Sequence, residues 1–282
     1  MSAPSLQEIL CCMGQPVSGN PTQYLMEKAF AAVGLDWRYL TLEVSPQQLA
    51  DAVRGMRAMG FKGGNFTIPH KVAVIPLLDS LSEAAELMGA VNCVNRVGNQ
   101  LIGENTDGKG FVHSLRALAD PKEKKVVLLG AGGAARAIAV ELGLSGVSQI
   151  TIVNRGQDRG QALVDLLNQR VKVPTNLEHL SGDYVIPEGT DLFVNATSIG
   201  LGDASARVPI DLHSLRPGLI VADVIFNPPR TRLVRDAAER GCTTLDGLGM
   251  LVQQAVIAFH IWSGLTPDAA LMREALEEFL GV

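Results

Sequence analysis

The chain has 282 residues, enough for two domains of ordinary size, and its 47% hydrophobic and 19% charged content excludes a disordered chain. A net charge of −5 and a pI near 5.6 leave no basic footprint for nucleic acid or an anionic membrane, and no apolar stretch reaches the length of a membrane span. No basic region precedes the short apolar run at Ile9, so no secretory leader is expected; four cysteines without metal spacing and five scattered histidines predict a reducing, cytoplasmic setting and no metal site.

Taken in order, Ile9–Met13 predicts a strand, followed by a loop and a helix near Gln23–Val33. Trp37–Val44 reads as a second strand, Gln47–Met59 as a helix and Phe61–Ile68 as a third strand. Cys93–Val97 and Leu101–Asn105 flank Gly98-Asn99-Gln100 and predict a β-hairpin. A helix over Gly110–Ala119 leads to Asp120-Pro121. Strands then recur near 126–129, 149–153, 191–195 and 219–224, alternating with helices, which is the rhythm of a parallel doubly wound sheet. The segment Met250–Trp262 and a helix near Pro267–Leu280 are expected to return to a discontinuous first domain.

The most specific local signal is KVVLLGAGGAAR at 125–136. Val126–Leu129 is an apolar run suited to a strand buried on both faces, and Ala134–Leu142 reads as a helix. The glycine-rich turn between them lets free N–H groups at the helix start face a pyrophosphate. Its expected cradle is the backbone of Gly130, Ala131, Gly132, Gly133 and Ala134, and Ala135 at the third fingerprint position is permitted. The next strand, Gln149–Val153, ends in Asn154-Arg155, where an NAD-preferring site usually carries Asp or Glu. A planar guanidinium there suits a 2′-phosphate, and Arg159 is placed to close the same pocket. NADP is therefore the expected cofactor, with NAD the alternative.

The first domain carries a polar cluster, Asn65-Phe66-Thr67-Ile68-Pro69-His70-Lys71, with Asn92 and Asp107 further on. Alcohol–ketone interconversion needs a group that moves the hydroxyl proton, which a lysine can do when burial or a neighbouring carboxylate tunes it. Each residue also has a plain reading: Lys71 as a solvated loop lysine, Asp107 as an N-cap before Gly108–Ala119.

Together these segments resemble the shikimate 5-dehydrogenase family, which includes quinate/shikimate dehydrogenases. The matching stretches are NFTIPHK at 65–71, GAVNCV at 89–94, GENTDGKG at 103–110, GAGGAAR at 130–136, NR at 154–155, NATSIG at 195–200 and DGLGMLVQQA at 246–255. The resemblance implies a two-domain α/β protein with its active site in the cleft. Residues 1–109 would form a substrate-binding domain, 110–243 an NADP-binding Rossmann domain, and 244–282 helices returning to the first. It also implies that Lys71 exchanges the proton of the substrate hydroxyl, while Asp107 holds the lysine and bonds that hydroxyl. Thr67, Asn92 and Gln254 would hydrogen-bond ring hydroxyls. Gly247 and Met250 would lie beside the nicotinamide, Thr197 in the loop that lines the cofactor, and Val224 would also bind the cofactor.

Three residues depart from the family pattern. Of the two N-terminal serines that would hold the substrate carboxylate, Ser18 is retained, Asn20 replaces the second, and the loop before them is shorter. An Asn amide still donates, with different reach. Phe226 stands where the family usually has tyrosine, and Gly156 replaces a common Thr or Ser near the 2′-phosphate. The expected activity is NADP-dependent interconversion of a ring alcohol and ketone on a shikimate-like hydroxylated cyclic carboxylic acid. A quinate or other cyclic-polyol dehydrogenase is the near alternative, and a non-catalytic ligand sensor of the same fold is the distant one. The expected partner is this small molecule, not nucleic acid or membrane, with the protein a monomer or homodimer.

Overall fold

The computed structural model describes residues 6–282, so the expectation about a leader falls partly outside the described residues. The chain separates into two compact units. One comprises residues up to Thr106 together with Gln254–Val282, and the other Asp107–Gln253.

The first unit opens with β1 (Ile9–Gly14), α1 (Thr22–Val33), β2 (Arg38–Glu43), α2 (Leu49–Ala58) and β3 (Gly63–Phe66). It continues with α3 (His70–Ala73), β4 (Ser80–Leu81), α4 (Glu83–Met88), β5 (Cys93–Val97) and β6 (Gln100–Glu104). Its sheet has the order β2-β1-β3-β5-β6-β4, with β2, β1 and β3 parallel and β3-β5-β6 antiparallel. Strand β1 lies between β2 and β3, and its apolar side chains from Leu10 to Met13 are buried on both faces. The hairpin turns on Gly98-Asn99 alone: Gln100 belongs to β6, and Gly98 takes φ +60 at the turn's first central position, which an L side chain resists. Helix α4 is capped by Ser82, whose hydroxyl accepts from Ala85 N, and ends at Gly89 in the left-handed region.

The second unit begins with α5 (Asp107–Arg116), which starts at Asp107 and not at Gly110. Gly108 and Gly110 do not break this helix; an added Cβ at Gly108 would overlap the carbonyl of Ala137, so glycine here permits close helix packing. There follow β7 (Lys125–Leu129), α6 (Gly133–Leu144), β8 (Gln149–Asn154), α7 (Gln157–Leu166), β9 (Thr175–His179), β10 (Leu192–Asn195), β11 (Ile220–Asp223), α8 (Arg232–Glu239) and β12 (Thr243–Leu245). All pair in parallel in the order β12-β11-β10-β7-β8-β9. This is the doubly wound α/β sheet the alternation predicted, with β9 and β12 added at its edges.

Helix α9 (Gly247–Ser263) contributes its first residues to the second unit and its remainder to the first, where α10 (Ala269–Leu280) also belongs. In the first unit Trp262 donates from its indole to Val94 O at 2.9 Å, over Gly63, where a Cβ would strike the indole. Among the described residues no helix is long and apolar enough to cross a membrane.

Candidate functional site

In the second unit the chain leaves β7 at Gly130, which takes φ +114. A Cβ there would also meet Ala196 O at 3.0 Å and Thr197 Cγ2 at 3.2 Å. Glycine is thus required both by conformation and by the loop that follows β10. Helix α6 then starts from Gly132 with no side-chain cap, leaving its first N–H groups for a ligand, and a Cβ on Gly132 or Gly133 would meet nothing within 4 Å. Because β8 and β9 lie on one side of β7 and β10–β12 on the other, the order reverses between β7 and β10, where a doubly wound sheet binds its ligand.

Two adjoining hollows follow this line. Gly130, Asn154, Arg155 and Thr197 share one, while Ala131, Gly132, Gly156 and Arg159 line the other together with Asn154 and Arg155. Asn154 donates from Nδ2 to Gly156 O at 2.7 Å, fixing the turn that presents the exposed Arg155 and Arg159. An uncapped helix start, an open glycine cradle and two exposed guanidinium groups fit a dinucleotide with a 2′-phosphate. Val224 and Gly247 also come together, since a Cβ on Gly247 would lie 2.6 Å from Val224 O. Met250 is half-buried in the first turns of α9, and Phe226 is half-buried beyond β11.

At the ends of β10 and β11 lies a buried polar cluster that joins Asn195 and Thr197 of the NATSIG motif to Asp223 and Thr231, which lie outside every motif named above. Asp223, 2% exposed, accepts from Thr231 Oγ1 (2.7 Å), Asn195 Nδ2 (3.0 Å) and Ile225 N (3.2 Å). Burial raises its carboxyl above the usual range while these donors pull it back. Asn195 Oδ1 in turn accepts from Thr197 Oγ1 at 2.7 Å.

In the first unit the loop carrying Lys71 is tied to the end of β1: Thr67 N donates to Met13 O and Gln15 N to Ile68 O, both at 2.9 Å. His70, fully buried, donates from Nε2 to Val44 O at 2.7 Å. Lys71 is half-buried in α3, and its carbonyl accepts from Val91 N at 2.7 Å, next to Asn92. Asn92 is held on both ends by Thr106, donating to its Oγ1 (2.9 Å) and accepting from its N (2.7 Å). Thr106 also bonds Gln254 Oε1 at 3.4 Å, so Asn92, Thr106 and Gln254 form one buried set immediately before Asp107 in the chain. Behind them Tyr39 OH donates to Asn65 Oδ1 (2.6 Å) and Asn65 Nδ2 donates to Asn92 O (2.9 Å). Neither Tyr39, Asn65 nor Thr106 was singled out as a site residue from sequence, although a buried Asn in a strand is the type of residue that must find partners.

Asn20 is half-buried; its Oδ1 accepts from Thr22 N at 2.9 Å at the start of α1, which leaves Nδ2 as its donor end, while Ser18 is exposed. Burial pushes the Cys12 thiol up to about 12 against the opposing charge of Lys71, so this thiol stays protonated. Among the described residues no group of His, Cys, Asp and Glu is arranged to hold a metal.

Three family models match the chain: the shikimate dehydrogenase substrate binding domain over residues 12–94, shikimate / quinate 5-dehydrogenase over 114–198, and the shikimate 5′-dehydrogenase C-terminal domain over 247–277. A shikimate dehydrogenase (NADP(+)) of Methanopyrus kandleri is 41% identical over 95% of this chain and 94% of its own length. The chain belongs to the shikimate dehydrogenase family. It is accordingly an NAD(P)-dependent dehydrogenase, not a binding protein that has kept only the fold. Among solved structures, the ligand-free 5-ketofructose reductase of Gluconobacter sp. strain CHM43 superposes with a TM-score of 0.96 at 48% identity, covering 98% of this chain and 99% of that one. A shikimate dehydrogenase in complex with NADP+ superposes with a TM-score of 0.90 at 33% identity, covering 96% and 95%.

Proposed function

We propose that this member of the shikimate dehydrogenase family uses NADP to interconvert a ring secondary alcohol and its ketone on a shikimate-like hydroxylated cyclic carboxylic acid. The observation that carries the reading is the retained polar set of Lys71, Asp107, Thr67, Asn92 and Gln254 in a chain that matches the family along nearly its full length. NADP, when bound, supplies or accepts the hydride. Lys71 Nζ gives or takes the hydroxyl proton, and Asp107 holds that lysine and bonds the same hydroxyl. Thr67, Asn92 and Gln254 bond the other ring hydroxyls, which rejects analogues lacking them because buried polar groups would be left unpaired. Ser18 and the Nδ2 of Asn20 receive the carboxylate. Thr197, Val224, Gly247 and Met250 border the nicotinamide. Residues 107–253 bind the cofactor, and the remaining unit binds the substrate. Composition and thiol content fit a cytoplasmic protein that binds neither nucleic acid nor membrane, and we take it to act as a monomer or homodimer.

Removal of one guanidinium should test the cofactor choice. Arg155→Ala is expected to raise KM for NADP by at least about tenfold, the loss of a charge-assisted bond, and to leave KM for NAD unchanged. Equal effects on both cofactors would remove Arg155 from the 2′-phosphate site.

A second reading is favoured by Asn20 and Phe226 together with the 48% identity to the 5-ketofructose reductase. In this reading the substrate is a neutral keto sugar, which needs no carboxylate pocket. NADPH absorbance with shikimate, quinate and 5-ketofructose as separate substrates decides between the two. Turnover of shikimate or quinate supports the acid reading, whereas turnover of 5-ketofructose alone overturns it. Asn20→Asp sharpens the comparison because it keeps an oxygen for Thr22 N and adds a negative charge. An acid substrate should lose at least about tenfold in kcat/KM through like-charge contact, and a neutral one should lose little.

A further inference from the structure

We propose that Asp223 is a positioning residue for the nicotinamide half of the cofactor. It would act through Asn195 and Thr231 on the loops that leave β10 and β11. The inference rests on the cofactor reading above and concerns a residue that touches no ligand itself.

Asp223 and Asn195 are directly paired residues at the last positions of two neighbouring parallel strands. Their side chains join at 3.0 Å, and the remaining carboxylate oxygen takes the hydroxyl of Thr231 at 2.7 Å. From this knot two loops are set. Through Asn195 Oδ1 it holds Thr197 N (3.2 Å) and Thr197 Oγ1 (2.7 Å), and Thr197 Oγ1 then accepts from Ile199 N at 3.2 Å. On the other side it holds Ile225 N at 3.2 Å and, through Thr231, the start of α8, whose Val234 N donates to Thr231 Oγ1. Asn195 Nδ2, Ile225 N and Thr231 Oγ1 all donate to Asp223, so the carboxylate serves as a common acceptor for groups that otherwise have no reason to converge.

The location gives this knot its consequence. The loop it fixes passes Gly130 at the sheet's reversal point, with Ala196 O 3.0 Å from the space a Cβ of Gly130 would fill. The glycine turn, Asn154 and Arg155 lie on the β7–β8 side and meet the adenosine and its phosphates. A dinucleotide extended across the strand ends therefore lays its second half over β10 and β11, against Thr197 and Val224. Loss of the knot releases those two loops, while the turn that presents Arg155 and Arg159 keeps its own bond from Asn154 Nδ2 to Gly156 O.

The test is a pair of ligands measured on Asp223→Ala: NADP+, and adenosine 2′,5′-bisphosphate, which has the adenosine end without the nicotinamide. The expected result is a rise in Kd for NADP+ of at least about tenfold, with Kd for the bisphosphate within about twofold of wild type. Asp223→Asn, which keeps the shape and one accepting oxygen, should recover most of the NADP+ affinity. Equal weakening of both ligands, or of neither, overturns the inference. Should Asp223→Ala fail to fold, Thr231→Ala, which removes one donor from the knot, is read by the same two ligands and the same criteria. A wild-type protein that binds NADP+ but not the bisphosphate would overturn the cofactor reading beneath the inference, a failure distinct from the others.

Discussion

Lys71→Ala should lower kcat by about 10²–10⁴-fold while NADP+ affinity stays close to that of wild type, since a positioned proton-transfer group contributes that much and this residue lies outside the cofactor-binding unit. The substitution leaves the backbone ties of this loop in place. Lys71 is half-buried near the start of a short helix, and the bond its loop makes to Val91 uses its backbone carbonyl, which alanine retains. His70 keeps its bond to Val44, and Thr67 keeps its bond to β1. A melting temperature near that of wild type together with lost turnover is therefore the expected combination. Retention of turnover within a few fold would remove Lys71 from the chemistry and leave the proton transfer to another group.

What the sequence reveals of this fold depends on where each element lies in its sheet. Strands β7, β8, β10 and β11 are interior members of a parallel sheet, buried on both faces, and read as apolar runs such as Val126–Leu129. Strand β9 pairs only with β8, and its residues Thr175–His179, half-buried or exposed with Leu177 the one apolar side chain, carry no comparable run; the short β12 at the other edge is likewise weak. Helix α5 shows another limit. Gly108 and Gly110 argue locally for a loop, and only close packing against Ala137 makes glycine the suitable residue inside a helix.

The same distinction applies to the site. Residues in contiguous motifs can be proposed from sequence: Gly130–Ala134 and Asn154-Arg155 from their place after predicted strands, and Lys71 from the family resemblance. The residues that hold them cannot. Asn195 and Asp223 are 28 positions apart and meet only because β10 and β11 pair in that register. Asn65 sits in a recognisable motif, yet its role emerges only when Tyr39 from β2 reaches it past β1, with Cys12 as Asn65's strand neighbour. Pairing register is set by the packing of whole faces, which a local pattern does not contain.

Asn92→Ala should destabilise the protein by about 2–4 kcal/mol and lower turnover as well, because Asn92 serves both the fold and the proposed substrate contact. Thr106 is fully buried, and its backbone N–H donates to Asn92 Oδ1 at 2.7 Å. Alanine leaves that donor with no acceptor in place, and it also deletes the amide that bonds Thr106 Oγ1. Tyr39→Phe is the milder comparison. It removes one hydroxyl from Asn65 Oδ1, which still leaves Asn65 Nδ2 on Asn92 O, so a loss of about 1 kcal/mol is expected. Asn92→Asp separates the two roles of Asn92. A carboxylate oxygen accepts from Thr106 N as before, but the Thr106 hydroxyl must turn from Gln254 Oε1 to donate to the second oxygen and the site is buried, so stability should return only in part. The amide donor for a ring hydroxyl does not return, so kcat/KM should remain low. Calorimetry on the three variants, with kinetics on the same preparations, reads both effects. If Asn92→Ala melts with wild type, Thr106 N has another acceptor and the buried set is not what positions Asp107's neighbour. If Asn92→Asp regains activity along with stability, Asn92 acts only through Thr106 and not on the substrate.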